Sequence, residues 1–245
     1  MFETQKKVLN VVMPVYNEAK TVRSIIEDVL ESKIDGLEIY LIIVGGGSND
    51  GTDEIIREFS ERLNVKVLIQ NSPSGKGNAV RAGFEHLKNG IVLIQDGDRE
   101  YRVEDYPKLV EPIMKGESDF VLGSRYSAGP MRKFGVFGFR SSVMNFGHLL
   151  FTFLFNFIYG VQLKDPFTMF KVFNSKCIDN MKFVSNRFDF DYELLAKLIR
   201  SGFVPLEIPI TYASRGFDEG KKVRFIRDPI SWLVALVKFK FCRIN

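Results

Sequence analysis

The fold is decided by residues 8–44, VLNVVMPVYNEAKTVRSIIEDVLESKIDGLEIYLIIV, which join a short β-branched run, an amphipathic segment and a second apolar run. Residues 8–13 are apolar and rich in valine, which predicts a buried strand. Residues 21–30 carry apolar side chains at helical spacing, which predicts a helix. Residues 37–44 predict a second strand, so this stretch is a strand, a helix and a strand.

The alternation of strands and helices continues through the first half of the chain. Five strands separated by crossover helices predict a mostly parallel sheet covered by helices on both faces, which is an α/β fold. Ligands of such sheets bind beyond the carboxyl ends of the strands, so the loops there form the candidate site. The further strands are predicted at 65–69, 91–95 and 120–123, and the further helices at 52–63, 78–87 and 106–114.

One of these loops carries two carboxylates around a glycine, Asp96-Gly97-Asp98. Two carboxylates at this spacing can both reach one divalent cation that bridges a diphosphate, and such oxygen ligands suit Mg²⁺ or Mn²⁺. An isolated pair of this kind is more often a solvated acidic turn. Because this pair directly follows a buried strand of an α/β sheet, we favour the metal site.

Two other nucleotide-binding motifs fail on spacing. The dinucleotide fingerprint requires its glycines after the first strand, whereas the cluster at 45–47 follows the second strand and Asp50 stands at the last glycine position. A P-loop around Lys76 would need glycine where Gln70 stands and a hydroxyl residue where Gly77 stands. Lys76 can still reach a phosphate as a point charge, with a solvated loop lysine as the equal alternative.

Charge and aromatic content divide the chain into two unlike halves. The whole chain has 34 basic and 30 acidic residues and a net charge of +4. Residues 1–120 hold 15 basic and 21 acidic residues, a balance of −6, and the remainder holds 19 and 9, a balance of +10. Of the 23 phenylalanines, 4 lie in the first part and 19 in the second. The second half is therefore suited to an anionic partner.

Residues 141–163 form a run of 23 residues without Asp, Glu, Lys or Arg. That length would span a bilayer. Asn145, His148 and Asn156 interrupt the run and its apolar residues are largely aromatic, so we favour an amphipathic segment at the membrane interface over a transmembrane helix. The segment 229–245 combines basic and aromatic residues and is a second candidate; its alternative is a helix packed on the sheet with a solvated basic end.

Composition excludes several classes of protein. A hydrophobic content of 45% excludes a disordered chain. Cys177 and Cys242 are far apart in sequence and form neither a disulfide framework nor a zinc pattern, which suits a reducing compartment. The N-terminus lacks the long apolar stretch of a signal peptide. Nucleic acid is not a favoured partner, because most aromatic residues lie in an uncharged run instead of alternating with Lys and Arg.

Four motifs occur in one order along the first half: VMPVYNE at 12–18, GSNDGT at 47–52, GKGNA at 75–79 and DGD at 96–98. Together they resemble family 2 glycosyltransferases, and most closely the polyprenyl-phosphate (dolichyl-phosphate) mannose or glucose synthases. The resemblance continues to EIPI at 207–210 and covers nearly the whole chain. Each motif is weak alone, and their common order carries the family assignment.

The resemblance implies a GT-A fold in a catalytic domain at 1–228, with a nucleotide-sugar half at 1–124 and an acceptor half at 125–228. Residues 229–245 would then be an amphipathic basic C-terminal segment. It also implies an inverting transfer of a hexose from a donor of the GDP-mannose or UDP-glucose class to a polyprenyl phosphate. Because that acceptor lies in a membrane, the protein is expected as a peripheral protein on its cytoplasmic side.

The resemblance also implies which residues act. Asp96 and Asp98 would hold Mg²⁺ or Mn²⁺, and Arg215 would join them as a catalytic residue. No protein base is required, because a phosphate monoester is already largely dianionic at pH 7. Glu100, Asp189 and Asp191 are expected to orient the sugar or a loop, and with a hydroxyl acceptor one of them would instead serve as general base. The nucleotide-sugar residues are Pro14, Tyr16, Glu18, Gly45, Asp50, Lys76, Asp96, Gly97, Asp98 and Glu100, and the acceptor-phosphate residues are Arg125, Arg140, Arg215, Lys221 and Lys222.

One departure from the family pattern lies at Gly45 and Gly46, where the family usually carries two aspartates. The first of these aspartates normally faces the base and ribose of the nucleotide. Three explanations stay open: an altered donor site, a binding protein that has lost turnover, and an engineered substitution. We expect retained transferase activity, because Asp96, Asp98 and the downstream basic residues are present, and because glycine lets a ligand approach the backbone closely.

Overall fold

The structure is a computed structural model that describes residues 7–126, 139–213 and 227–244. At 139–144 and 227–232 only the helical backbone is described. The strands are β1 (Lys7–Val15), β2 (Leu37–Gly45), β3 (Val65–Ile69), β4 (Gly90–Ile94), β5 (Phe120–Ser124), β6 (Lys171–Asn174) and β7 (Leu206–Pro209). The helices are α1 (Val22–Glu31), α2 (Thr52–Arg57), α3 (Lys76–Phe84), α4 (Tyr106–Met114), α5 (Phe139–Tyr159), α6 (Asp189–Arg200) and α7 (Arg227–Phe241).

All seven strands form one sheet in the order β3-β2-β1-β4-β6-β5-β7. The pairs β1 with β2, β1 with β4, β2 with β3, and β5 with β7 are parallel. Strand β6 is antiparallel to both of its neighbours, β4 and β5. The predicted α/β class with a mostly parallel sheet is therefore confirmed, with one antiparallel strand inserted near its middle.

The first strand and helix show how the sequence produces this arrangement. Strand β1 is buried from its third residue to its last, as expected for a parallel strand covered on both faces. Helix α1 turns one apolar stripe toward the sheet, and each buried aliphatic side chain contributes about 1.5–3 kcal/mol relative to exposure. The buried residues of α1 are Val22, Ile25, Ile26 and Val29.

Several predicted boundaries were wrong. Helix α2 ends at Arg57 instead of 63, and Leu63 is fully exposed in the turns that follow. Helix α3 begins two residues earlier than predicted, at Lys76, and ends at Phe84. Strands β6 and β7 were not predicted, because each has only four residues and β6 contains a lysine.

Helices α5 and α7 pack against each other and against α6. Helix α5 ends at Tyr159, and Gly160 follows with φ of +68°, the left-handed conformation in which glycine commonly ends a helix. The hydroxyl of Tyr159 donates to the carbonyl oxygen of Leu236 at 2.9 Å, which ties the two helices together. In the described ranges, no helix is both long and apolar enough to cross a membrane.

Candidate functional site

Four strand ends meet at one edge of the sheet, which we call the donor edge; it comprises the loops 14–21, 46–51, 70–75 and 95–102. Strand pairing places Val15 beside Gly45 and Gly45 beside Ile69. On the other side of β1, Val12 pairs with Ile94. Because these four strands are parallel, the loops that follow them come together at their carboxyl ends, as predicted.

Hydrogen bonds tie the first two loops of the donor edge to each other. Asp50 accepts from the backbone N–H of Ala19 at 3.0 Å, and Thr52 Oγ1 accepts from that of Glu18 at 2.9 Å. Partial burial alone would raise the pKa of Asp50, but hydrogen bonds from Thr52 and Ala19 outweigh it and lower the pKa. Asp50, predicted as a nucleotide contact, is thus a residue that holds two loops together.

The glycines at the end of β2 have packed surroundings. A Cβ atom built on Gly45 would lie 2.7 Å from Cδ1 of Ile56 and 2.8 Å from Oδ1 of Asp53. One built on Gly46 would lie 3.3 Å from Cβ of Tyr16. Asp53 is buried, and its Oδ2 accepts from the backbone N–H of Ser48 at 3.0 Å. The carboxylate of Asp53 therefore occupies the space into which a side chain at position 45 would project.

The Asp96-Gly97-Asp98 loop directly follows β4, where the sequence placed it. Gly97 is required there, because a Cβ atom would lie 2.7 Å from Cγ1 of Val15. Asp98 Oδ1 accepts from the backbone N–H of Glu100 at 3.1 Å. Glu100 Oε2 in turn accepts from the hydroxyl of Tyr212 at 2.5 Å. The two carboxylates thus lie on the loop after β4, at the end of the donor edge next to β6, with Glu100 beside Asp98.

Lys76 contacts the first of these carboxylates. Its Nζ lies 2.5 Å from Oδ1 of Asp96, and the two side chains are only 18% and 17% exposed. Burial alone would lower the pKa of Lys76, but the charges of Asp96, Asp191 and Asp98 outweigh burial and raise it. The predicted phosphate-reaching lysine is therefore a charged group inside the site.

A second lysine lies nearby that the sequence did not identify. Lys171, on β6, is fully buried, and its Nζ lies 3.3 Å from Oδ1 of Asp191 and donates to the carbonyl oxygen of Thr168. Burial lowers the pKa of Lys171, and the charges of Lys76 and Arg125 act in the same direction. Only the antiparallel insertion of β6 brings Lys171 here, and a lysine directly before Val172 and Phe173 was the available signal.

Arg125, predicted to bind the acceptor phosphate, is held by a carboxylate of the protein. Its Nε and Nη2 each donate to an oxygen of Asp165 at 2.7 Å, and both side chains are buried. Glu207 accepts from the backbone N–H groups of Lys164 and Asp165 at 2.7 Å, and burial raises the pKa of Glu207. This network braces the end of β5, and a phosphate contact of Arg125 stays a prediction.

Asp96 and Asp98 fit a site for a divalent cation whose remaining ligands a substrate would supply. Among the described residues, no cluster of three or more His, Cys, Asp or Glu side chains is placed to hold a metal ion. Mg²⁺ is commonly bound through one or two carboxylates together with substrate phosphates and water. Asp96 and Asp98 supply that number of carboxylates, at the strand end where a ligand is expected.

The remaining predicted residues have different outcomes. Pro14 lies within β1, next to its last residue, while Tyr16 and Glu18 lie in the loop that follows β1 on the donor edge. Arg140 lies in the first turn of α5, where only the helix is described. Arg215, Lys221 and Lys222 lie at 214–226, outside the described residues. The roles of all these residues stay predictions.

Helices α5 and α7 leave a large apolar surface exposed, which we call the α5–α7 face. Phe153 is 66% exposed, Phe157 79% and Phe241 80%. Exposed apolar patches of this kind mark interaction surfaces. On α5 the exposed residues are Phe146, Leu149, Leu150, Phe153 and Phe157, and on α7 they are Leu233, Val234, Val237 and Phe241.

Comparisons with known proteins agree with this fold. A family model described as "Glycosyl transferase family 2" matches residues 10–180. Glycosyltransferase AglJ of Haloferax volcanii is 30% identical over 219 residues, covering 89% of this chain and 67% of that protein. Dolichol-phosphate mannosyltransferase of Pyrococcus furiosus is 26% identical, covering 95% of this chain and 64% of that protein. The chain thus spans about two thirds of the length of these curated relatives.

A solved structure gives the same answer for the fold. Glucosyl-3-phosphoglycerate synthase from Mycobacterium tuberculosis matches with a TM-score of 0.68 at 19% identity, covering 96% of this chain and 80% of that chain. That crystal structure holds Mn²⁺, UDP-glucose and phosphoglyceric acid. The similarity establishes a shared fold.

Proposed function

Since the chain belongs to glycosyl transferase family 2 and has its GT-A fold, we propose that it moves a hexose from a nucleoside-diphosphate sugar to a polyprenyl phosphate at a membrane surface. The observation that carries this proposal is the position of Asp96 and Asp98. They follow β4 on the donor edge, beside the largely buried ammonium group of Lys76. Two carboxylates and a cation at one strand end suit a diphosphate and its metal ion.

The donor edge would hold the nucleotide sugar. Asp96 and Asp98 are the residues that would bind Mg²⁺ or Mn²⁺, which when bound stabilises negative charge on a leaving diphosphate. Tyr16 lies beside Gly46 on the donor edge and is 38% exposed, and it is proposed as a nucleotide contact from that position. Gly45 and Gly46 contribute backbone without side chains, so base recognition at β2 relies on main-chain groups and neighbouring loops.

The acceptor would enter from the side of β5, β7 and α5. A polyprenyl phosphate arrives with its nucleophilic oxygen already ionised at pH 7, so positioning and charge are the main demands on the protein. Arg140, Arg215, Lys221 and Lys222 are proposed to bind its phosphate, because arginine and lysine side chains form charge-assisted hydrogen bonds with phosphate. Attack opposite the leaving diphosphate would invert the anomeric centre.

The α5–α7 face is proposed to rest on the membrane that holds the acceptor. Its exposed phenylalanines and leucines would be buried among lipid chains, as in amphipathic helices at bilayer interfaces. Lys238 and Arg243 are exposed on α7 and just beyond it. Such cations favour the anionic lipids of a cytoplasmic leaflet. The face therefore has apolar and basic side chains that match a lipid surface, which supports peripheral binding of the protein to a membrane.

Two curated relatives support the choice of acceptor by their names, dolichol-phosphate mannosyltransferase of Pyrococcus furiosus and dolichyl-phosphate beta-glucosyltransferase ALG5A of Trichomonas vaginalis. The chain is 26% identical to each. Mannose and glucose donors are therefore the first to test. A binding protein without turnover is the alternative that Gly45 and Gly46 raise.

A donor panel tests the proposal. UDP- and GDP-sugars are each offered with Mn²⁺ and with vesicles that contain polyprenyl phosphate, and the lipid fraction is scored for attached sugar. We expect one donor to give a lipid-linked hexose together with an equal amount of released nucleoside diphosphate. Binding of a nucleotide sugar without release of nucleoside diphosphate for any donor would contradict the transferase and support the binding protein.

A further inference from the structure

We propose that Lys76 is an exchangeable counter-ion: its ammonium group neutralises Asp96 before substrate binds, and passes to the donor's diphosphate when a divalent cation takes that carboxylate. The proposal deepens the proposed function and rests on it, because the diphosphate is that of the nucleotide sugar. It assigns Lys76 two successive partners and makes the lysine a competitor of the metal ion.

The geometry of the ion pair is the first support. Lys76 Nζ lies 2.5 Å from Asp96 Oδ1, which is the position of a direct counter-ion. Lys76 is 18% exposed, whereas the lysines of the Lys108–Asp105 and Lys115–Glu111 pairs are 42% and 57% exposed. Lys76 is therefore enclosed in the site. A divalent cation bound to Asp96 would repel an ammonium group at this distance.

The surrounding charges are the second support. Asp98 and Asp191 also stabilise the charged form of Lys76, and Lys171 lies 3.3 Å from Asp191. These three carboxylates and two ammonium groups sum to −1, and Glu100 beside Asp98 makes the cluster more negative. A divalent cation adds two positive charges, which the diphosphate of the donor would offset. The cluster is therefore suited to take up the two together, with Lys76 released to the phosphate oxygens.

The backbone around Lys76 is fixed, so the exchange needs only the side chain to move. Gly75 has φ of +93° and lies against the backbone of Asn186. The backbone N–H of Asn78 donates to the carbonyl oxygen of Asn186 at 3.0 Å, which anchors the first turn of α3. A lysine stem has four rotatable carbons and can redirect its ammonium group from a fixed backbone.

Mn²⁺ binding to the full chain tests the exchange without relying on turnover. Isothermal titration or electron paramagnetic resonance would measure Mn²⁺ affinity of the wild type, Lys76→Met and Lys76→Arg, first without nucleotide. We expect Lys76→Met to bind Mn²⁺ about tenfold more tightly than the wild type, within the usual range of coupling between sites. Lys76→Arg keeps the charge and should stay close to the wild type. Lys115→Met removes an equal charge from an exposed pair and controls for net charge.

The second half of the test adds saturating UDP or GDP. In the wild type the nucleotide should strengthen Mn²⁺ binding, since it draws Lys76 from Asp96. In Lys76→Met this enhancement should fall about tenfold, because there is no ammonium group left to exchange. Nucleoside diphosphate should also bind this variant more weakly, so the substitution would act in opposite directions on the two ligands.

The exchange is overturned if Lys76→Met binds Mn²⁺ without nucleotide no more tightly than the wild type, or if none of the variants binds Mn²⁺. If Lys76→Met fails to fold, its thermal unfolding transition will be lost. The test then rests on the wild type and Lys76→Arg. If the nucleotide does not strengthen Mn²⁺ binding in either of them, the exchange is overturned. Failure of the transferase proposal looks different: no donor would yield a lipid-linked sugar, while the Mn²⁺ affinities would still follow the pattern above.

Discussion

The donor edge and the α5–α7 face differ in whether their side chains find partners within the protein. On the donor edge the polar side chains bind one another: Asp50 holds the loop after β1, Asp53 holds Ser48, and Lys76 holds Asp96. On the α5–α7 face, large apolar side chains stay exposed in the part of the chain that the structure describes. The first region is largely organised by contacts within the protein, whereas the apolar side chains of the second would be buried only by the proposed membrane contact.

The largest expected effect separates the two regions at the donor edge. Asp98→Ala should lower transfer by about 10³-fold or more, because several kcal/mol of charge stabilisation on the leaving diphosphate depend on the metal site. Binding to vesicles should be unchanged, since the α5–α7 face is intact. Initial rates and vesicle co-sedimentation measure the two properties. Near-normal turnover of Asp98→Ala would remove Asp98 from the metal site.

The converse substitution acts on the α5–α7 face. The double variant Phe153→Glu with Phe157→Glu should weaken binding to vesicles of phosphatidylcholine and phosphatidylglycerol by about 100-fold, since two large apolar side chains are lost from the contact. Its affinity for nucleoside diphosphate should stay that of the wild type. Leu63→Glu, at a fully exposed leucine of the nucleotide-sugar half, is the control and should bind vesicles normally. Equal binding by the double variant would show that this face does not meet the membrane.

The donor edge should resist restoration of an aspartate at β2. Gly45→Asp places a side chain against Ile56 and a second carboxylate beside Asp53. We expect the free energy of unfolding to fall by about 1–3 kcal/mol, the usual range for overpacking a core. Chemical denaturation measures it. Gly147→Asp, at a helical glycine with open space around it, should cost less.

A double variant shows whether Asp53 causes that loss. Gly45→Asp combined with Asp53→Ala removes the like charge and much of the crowding, so stability should be partly recovered relative to Gly45→Asp alone. An unchanged or larger loss in the double variant would mean that the two positions do not compete for one space.

The smallest effect is expected from the hydrogen bonds between loops. Asp50→Ala removes the contact with Ala19 and should raise the KM for the donor about two- to five-fold with little change in kcat, because it loosens binding without touching the reacting groups. The lowered pKa of Asp50 keeps it ionised in the folded state. Its contribution to the free energy of unfolding is therefore present above about pH 4 and is lost as the pH falls further. A large fall in kcat would instead place Asp50 in the chemistry.

The elements that could be predicted from the sequence are those with a clear local pattern. Strand 65–69 and helix 106–114 were predicted at their observed bounds, since apolar periodicity encodes both. Strands β6 and β7 were missed because a four-residue strand carries too few positions for periodicity. The carboxylates of Asp96 and Asp98 were found from their place after a strand, a local signal.

Contacts between residues far apart in the sequence could not be predicted. No local pattern pairs Arg125 with Asp165, 40 residues away, or Lys171 with Asp191. These ion pairs depend on the position of β6 between β4 and β5, which tertiary packing decides. Likewise, no local pattern in the sequence singles out Asp53, whose carboxylate lies against Gly45.

One measurement tests most directly the claim that both regions serve a single reaction. With the active donor chosen by the panel, vesicles containing either polyprenyl phosphate or the neutral polyprenol are incubated with the wild type and with Asp98→Ala, and the lipids are analysed by mass spectrometry. We predict a mass increase of one hexose on the phosphate-bearing lipid alone, and with the wild type alone. Equal glycosylation of the neutral polyprenol, or a product formed undiminished by Asp98→Ala, would contradict the account.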